Sequence, residues 1–179
     1  MRVEEAGFSL LEMLIALAVG AILMVSVGRF LPLLLEQNLR LQQRVQLQQE
    51  LQQLSHTLQK ALQRAGYCRG QCTGPALTLA ASGSCVLLRW DENSNGRWEN
   101  VGSSDSDFYG YRLRGGQLEM QRAVDNCNGN GWERLTDPAF LTIEHFSVVR
   151  QGTRLMLHLT GRSGIQSLQV EHWIEGRNL

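Results

Sequence analysis

Gly7-Phe8-Ser9-Leu10-Leu11-Glu12 runs directly into an apolar stretch, from Met13 to Gly28, that no charge interrupts. With residues 8–11 before it and 30–35 after it, the segment is long enough to cross a bilayer, which takes about 20 residues. One carboxylate, Glu12, stands inside it. A charge at that depth costs a few kcal/mol unless it is partnered, so its presence there is a functional signal. An ordinary secretory signal has a basic start, a short apolar middle and a small-residue cleavage site behind it. Here Ala16-Leu17-Ala18 lies in the middle of the run. A plain membrane anchor fits the length but gives no reason for Glu12.

Cleavage glycine, aromatic residue, acid and apolar span in this fixed order resemble the type IV prepilin signal, shared by pilins and type II secretion pseudopilins. The resemblance implies that prepilin peptidase removes residues 1–7 on the cytoplasmic face, cutting between Gly7 and Phe8. It implies N-methylation of Phe8 and assembly of the helices into the core of a filament. The new ammonium on Phe8 is then the partner of Glu12 on a neighbouring subunit. Two features depart from the pattern. The leader carries only Arg2 against Glu4 and Glu5, and Arg29, Arg40 and Arg44 lie beyond the span. The excess of cytoplasmic basic residues that usually sets orientation is therefore missing, and orientation rests on the cleavage motif. Pro32 stands slightly further along than the late proline of many family members; it removes one helix hydrogen bond and loosens the turn before it.

The helix is predicted to continue beyond the membrane. Residues 33–65 are rich in Leu, Gln, Glu and Arg and contain no Gly or Pro, a composition that favours helix. Leu47, Leu51, Leu54, Leu58, Ala61, Leu62 and Ala65 step by threes and fours into one stripe, and glutamines occupy the other face. The stripe is short for a coiled-coil seam and is expected to pack on a following sheet. Gly66 is the natural stop.

After Gly66 the pattern becomes short alternating runs. Strands are expected at 76–80, 85–90, 97–101, 108–114, 117–124, 141–150, 153–160 and 165–174. Asn95-Gly96, Gly115-Gly116 and Gln151-Gly152 supply turn signals, and tight turns make neighbouring strands antiparallel. Leu155, Leu157 and Leu159 should face one way, and Met156, His158 and Thr160 the other. The expected fold class is α+β, pilin-like, with a long N-terminal helix on antiparallel sheet. The expected parts are a leader (1–7), a transmembrane and assembly helix (8–35), its amphipathic continuation (36–65) and a periplasmic β-rich domain (66–179).

The formal net charge is zero over 179 residues. Loss of Arg2, Glu4 and Glu5 with the leader leaves 16 basic against 15 acidic side chains, which is no footprint for nucleic acid. Cys68, Cys72, Cys85 and Cys127 all lie past the span. An even count in an oxidising compartment reads as two disulfides, with three pairings open. A four-thiolate zinc site is the rival, but zinc favours two close pairs and only Cys68 and Cys72 are close in sequence.

Asp91, Asn93, Asn95 and Gly96 match the opening of a calcium loop, with Arg97 offering a carbonyl and Glu99 a further ligand. The bidentate acid expected six residues after the glycine is replaced by Gly102, leaving Asp105 or Asp107 as substitutes. The competing reading is a hairpin with Asn95-Gly96 at its tip and Trp90 and Trp98 as cross-strand partners. His158 and His172 fall in neighbouring strands, where they could approach each other. Asn126, Asn128, Gly129, Asn130 and Gly131 make a loop around Cys127, with Trp132 as its anchor. No nucleophile turn, phosphate-binding glycine loop or carboxylate pair stands out, so no enzyme activity is expected. No cofactor is expected beyond the calcium alternative.

Leu62-Gln63-Arg64-Ala65-Gly66-Tyr67-Cys68, the stretch from Trp90-Asp91 to Asn93-Ser94-Asn95-Gly96, and Gly131-Trp132 extend the resemblance. They resemble the prepilin peptidase-dependent protein B family of enteric bacteria, allied to the J-type pseudopilins. The resemblance implies a low-abundance minor pilin that primes pilus assembly near the filament tip. Implied partners are other minor pilins, the major pilin, prepilin peptidase and the inner-membrane assembly platform. The alternatives are a J-type pseudopilin of type II secretion and a calcium-binding adhesive tip module. The implied place is a single pass through the inner membrane with the C-terminal domain in the periplasm.

Overall fold

A computed structural model describes Gly7 and residues 9–179. It divides into two units, Met1–Gln42 and Gln43–Leu179. One helix, α1 (Leu10–Arg64), supplies the described secondary structure of the first unit and the opening of the second. Pro32 lies inside it; lacking an N–H, it cannot donate a hydrogen bond to the Gly28 carbonyl four residues back. Ser26 Oγ donates to the Ile22 carbonyl at 2.8 Å.

The stripe read from the sequence is the part of α1 that is buried. Leu47, Leu51, Leu58, Leu62 and Ala65 are at most 2 % exposed, and Leu54 and Ala61 are also buried. Ser55 joins them, its hydroxyl without a partner. Burying one such leucine is worth about 1.5–3 kcal/mol, so the stripe fixes this half of the helix far more firmly than helix propensity does. The helix ends at Arg64 and Gly66 takes a left-handed φ of 86°, the stop expected of it. A side chain at Gly66 would run into the backbone of Asn178.

The second unit lays that stripe against two antiparallel sheets. The first contains β1 (Leu77–Ala80), β2 (Cys85–Arg89), β3 (Phe108–Arg114), β4 (Gln117–Arg122) and β5 (Glu133–Arg134), in that spatial order. The second contains β6 (Thr142–Gln151), β7 (Arg154–Ser163) and β8 (Gln166–Glu175), also in chain order. Leu58 and Leu62 of the helix face Val86 and Leu88 of β2, Tyr111 of β3, and Phe146 and Val148 of β6. Leu155, Leu157 and Leu159 are wholly buried, while Met156, His158 and Thr160 lie on the half-exposed face. Gly161 continues the inward row of β7. A methyl group there would press on Leu51 of the helix and on Leu141, so the missing side chain lets helix and sheet approach.

The structure differs from the sequence reading between Trp90 and Asp107. Residues 97–101 form no strand, and Asn95-Gly96 closes no hairpin. Trp90 and Trp98 are not cross-strand partners: Trp90 stacks on Tyr109 with ring centres 3.7 Å apart, and Trp98 Nε1 donates to the Tyr67 carbonyl. The physical reason is long-range: carboxylates at both ends of the segment capture its amides, as described below. The short strand β5 was not anticipated. Two residues carry too little alternation to be read.

The cysteines pair as Cys68–Cys72 and Cys85–Cys127. The second bond ties the start of β2 to the loop after β4, and that loop lies over the outer face of β3. Arg112 of β3, almost fully buried, donates to the Cys127 carbonyl and to Glu119 Oε2, both at 2.7 Å. Its guanidinium covers the Trp132 ring at 4.1 Å. Trp132 in turn lies over Gly110, where a side chain would collide with it. The Cys85–Cys127 bond spans 42 residues, for which chain-entropy arguments give about 4 kcal/mol. Replacing both cysteines with alanine should lower unfolding free energy by about that much. Urea denaturation of the double variant checks it, and the Cys68–Cys72 pair, closing only a few residues, should matter less.

Candidate functional site

The first candidate site is the start of α1. Gly7 is exposed; Phe8 lies outside the described residues, as do residues 1–6. Ser9 and Glu12 form a reciprocal cap. The Ser9 backbone N–H donates to Glu12 Oε2 at 2.8 Å, and the Glu12 N–H donates to Ser9 Oγ at 3.3 Å. This arrangement satisfies two amides that a helix start leaves free, and it sets a carboxylate where the helix dipole favours one. The signal was present in the sequence as Ser-x-x-Glu before an apolar run, but the reading of Glu12 as a charge awaiting a partner overlooked it.

Behind that cap, α1 is long and apolar enough to cross a membrane, and its apolar window has no buried residue. Leu10 is 80 % exposed, and Leu14, Leu17, Ile22, Val25, Phe30 and Leu35 are also exposed. A surface this apolar is stable only in lipid or against other apolar helices.

The second candidate site is the segment 91–107. Asp91, 1 % exposed, accepts three backbone amides: Arg69 and Gly96 on Oδ2 and Asn95 on Oδ1, at 2.9–3.0 Å. Burial by itself would raise this carboxyl; the amides of Arg69, Gly96, Asn95 and Ser94 outweigh burial and hold it below its ordinary value. Asp107, fully buried, accepts from the amides of Glu92 and Glu99. Glu99 Oε1 accepts from Asn95 Nδ2 and Arg97 Nε.

Glu99 and Asp107 are neighbours, and their acidities split. Hydrogen bonds from Asn95 first, then Asp107, bring Glu99 down to about 2 against the opposing effect of burial. Burial first, then the Glu99 carboxylate, push Asp107 up.

The proposed calcium set is thus spread over internal duties. Asp91 holds amides, Asn93 and Asn95 oxygens cap the amides of Asn95 and Arg97, and Glu99 holds side chains. Among the described residues no group of three or more His, Cys, Asp or Glu converges to hold a metal ion. His158 and His172 do not meet. His158 pairs in register with Glu171, and His172 projects from the opposite face of β8. The neighbour of His158 is His145 of β6, at 4.6 Å between ring centres.

Comparison with known proteins agrees with this geometry. Residues 40–176 match the family described as Prepilin peptidase-dependent protein B, and residues 4–28 match the prokaryotic N-terminal methylation motif. The chain is 44 % identical over 151 residues to Prepilin peptidase-dependent protein B of Escherichia coli (strain K12), covering 84 % of this chain and 81 % of that protein. No solved structure matches. An apolar N-terminal helix with a methylation motif, packed on antiparallel sheets and matched over most of its length, places the chain in the prepilin peptidase-dependent protein B family, among the minor pilins and pseudopilins.

Proposed function

We propose that this chain is a minor pilin of a type IV pilus system, priming assembly together with other minor pilins near the filament tip. The observation that carries the reading is the division of α1. Its first part offers an exposed apolar surface, and its last part is pinned by a buried stripe to a cross-linked domain. Such a subunit joins others through the first part and presents the second outward. Prepilin peptidase would cut between Gly7 and Phe8, and the inner membrane would hold the helix before assembly, with residues 66–179 in the periplasm.

Glu12 has two uses in this scheme. Before cleavage it caps its own helix through Ser9. After cleavage the Phe8 ammonium of a neighbouring subunit becomes a stronger partner, because a charged pair lowers the cost of keeping a carboxylate in an apolar surround. Glu12→Ala should leave cleavage intact and reduce recovery of the chain with its partner minor pilins at least tenfold, read by crosslinking in membranes. Equal recovery would refute the pairing. Deleting the gene should abolish surface fibres; loss of protein secretion with fibres intact would assign the chain to a type II pseudopilus instead.

A further inference from the structure

A cleft at the C-terminal end of α1 has no role in the scheme above. Lys60, Gln63, Arg64, Tyr67, Arg177 and Asn178 line a cavity of about 340 Å³. Three of these side chains are cations and none is an acid. A second hollow of about 360 Å³ shares Arg64 and Tyr67 and continues to Trp90, Asp91 and Glu92. Among the described residues, no carboxylate lies within ion-pair distance of Lys60, Arg64 or Arg177.

The acids of the second hollow are already engaged. Asp91 is held by backbone amides, and Glu92 receives the Tyr109 hydroxyl and lies 3.7 Å from Arg122. Trp90, 5 % exposed, has the opposite condition: its indole N–H is buried and donates to nothing. An orphaned buried donor costs about 1–3 kcal/mol.

The helix dipole accounts for basic residues in the last turns of α1. It does not account for Arg177, which comes from the C-terminal tail beyond β8, or for the idle N–H of Trp90. Two guanidinium groups, an ammonium, two side-chain amides and a phenol around one cavity match a flat anion with paired oxygens. We propose that this cleft binds carboxylate side chains of an acidic segment on a partner chain. The proposal rests on the subunit reading for its choice of polypeptide over a free anion. The lining side chains belong mostly to exposed residues, so the cleft is open to a segment docking from outside.

The test uses the full-length chain in detergent micelles, with fluorescein-labelled hexaglutamate as the probe and anisotropy as the readout. Binding should weaken at least tenfold in the Lys60→Gln, Arg64→Gln double variant and survive in Lys60→Arg, Arg64→Lys. Trp90→Phe keeps a ring to stack on Tyr109 and should weaken binding severalfold, read at a temperature where circular dichroism shows the variant fully folded. Arg114→Gln with Arg134→Gln removes equal charge from the first sheet and should leave binding unchanged. Equal loss in that control, or no loss in the Lys60, Arg64 variant, overturns the site. Displacement of the probe by millimolar inorganic phosphate, with phosphate binding as tightly as the peptide, overturns the polypeptide source. Because the assay needs no filament, its failure is separable from failure of Glu12 crosslinking, which tests the subunit role.

Discussion

Gly7→Leu is expected to leave the chain uncut. A peptidase that recognises this junction must bring the Gly7 carbonyl against its reacting groups, and the backbone before Phe8 must approach closely. Glycine is the residue that permits such an approach, and a branched side chain removes the space. Intact mass measurement of the membrane-bound product should then show all 179 residues, where the parent chain is expected to lose residues 1–7 and gain a methyl group. The effect should be close to all-or-none. Without the new ammonium at Phe8, Glu12 retains only its Ser9 contact, and incorporation should fail as well. A normally shortened product from Gly7→Leu would contradict the processing assignment.

Asp91→Ala is the second large effect. One buried carboxylate organises the 91–107 segment by accepting the amides of Arg69, Asn95 and Gly96. Removing it strands three donors, each worth about 1–3 kcal/mol when left unsatisfied in the interior. Some will find water as the loop loosens, so the expected loss is about 3 kcal/mol, measured by urea denaturation at pH 7. Asp91→Asn keeps one acceptor oxygen and should lose less.

The contribution must also depend on pH in one direction. The folded carboxyl titrates below its ordinary value, so its stabilisation is full above the unfolded pKa of about 3.9. It is lost as pH falls through the lower folded value. The stability gap between the parent chain and Asp91→Ala should therefore close on acidification from pH 5 towards pH 2. Asp107, whose proton is held more tightly in the folded state, contributes with the opposite sign: its folded pKa is raised, so its share falls as pH rises through that value.

What the sequence disclosed followed from periodicity. The helical stripe from Leu47 to Ala65 could be read because steps of three and four over nineteen residues have no other economical explanation, and each of its members is buried. The last three strands were legible because Leu155, Leu157 and Leu159 alternate with Met156, His158 and Thr160 and Gln151-Gly152 marks the turn. The segment 91–107 was not, since Asn-Gly closes hairpins and irregular loops alike. What decides between them is Asp107 reaching the amides of Glu92 and Glu99, a contact that no local pattern announces. Disulfide partners were hidden for the same reason: Cys85 meets Cys127 only once β2, β3 and β4 are side by side. At the N-terminus, the aromatic, the acid and the apolar run are plain in the sequence, and Ser9-x-x-Glu12 carries the cap as well, since the same carboxylate that stands in the apolar run closes on the Ser9 amide.

Both sheets are assembled from strands that are consecutive in the chain. Nothing synthesised late has to be threaded between pieces synthesised early. As the polypeptide emerges, β1–β5 can close and be locked by Cys85–Cys127 while everything after Arg134 is still to come. The part of the leucine row of α1 around Leu51 must wait longest, because Gly161, against which it packs, lies in β7, which arrives late. Until then the cover that Gly161 gives Leu51 is missing, so the order of the strands sets when that part of the helix is closed off.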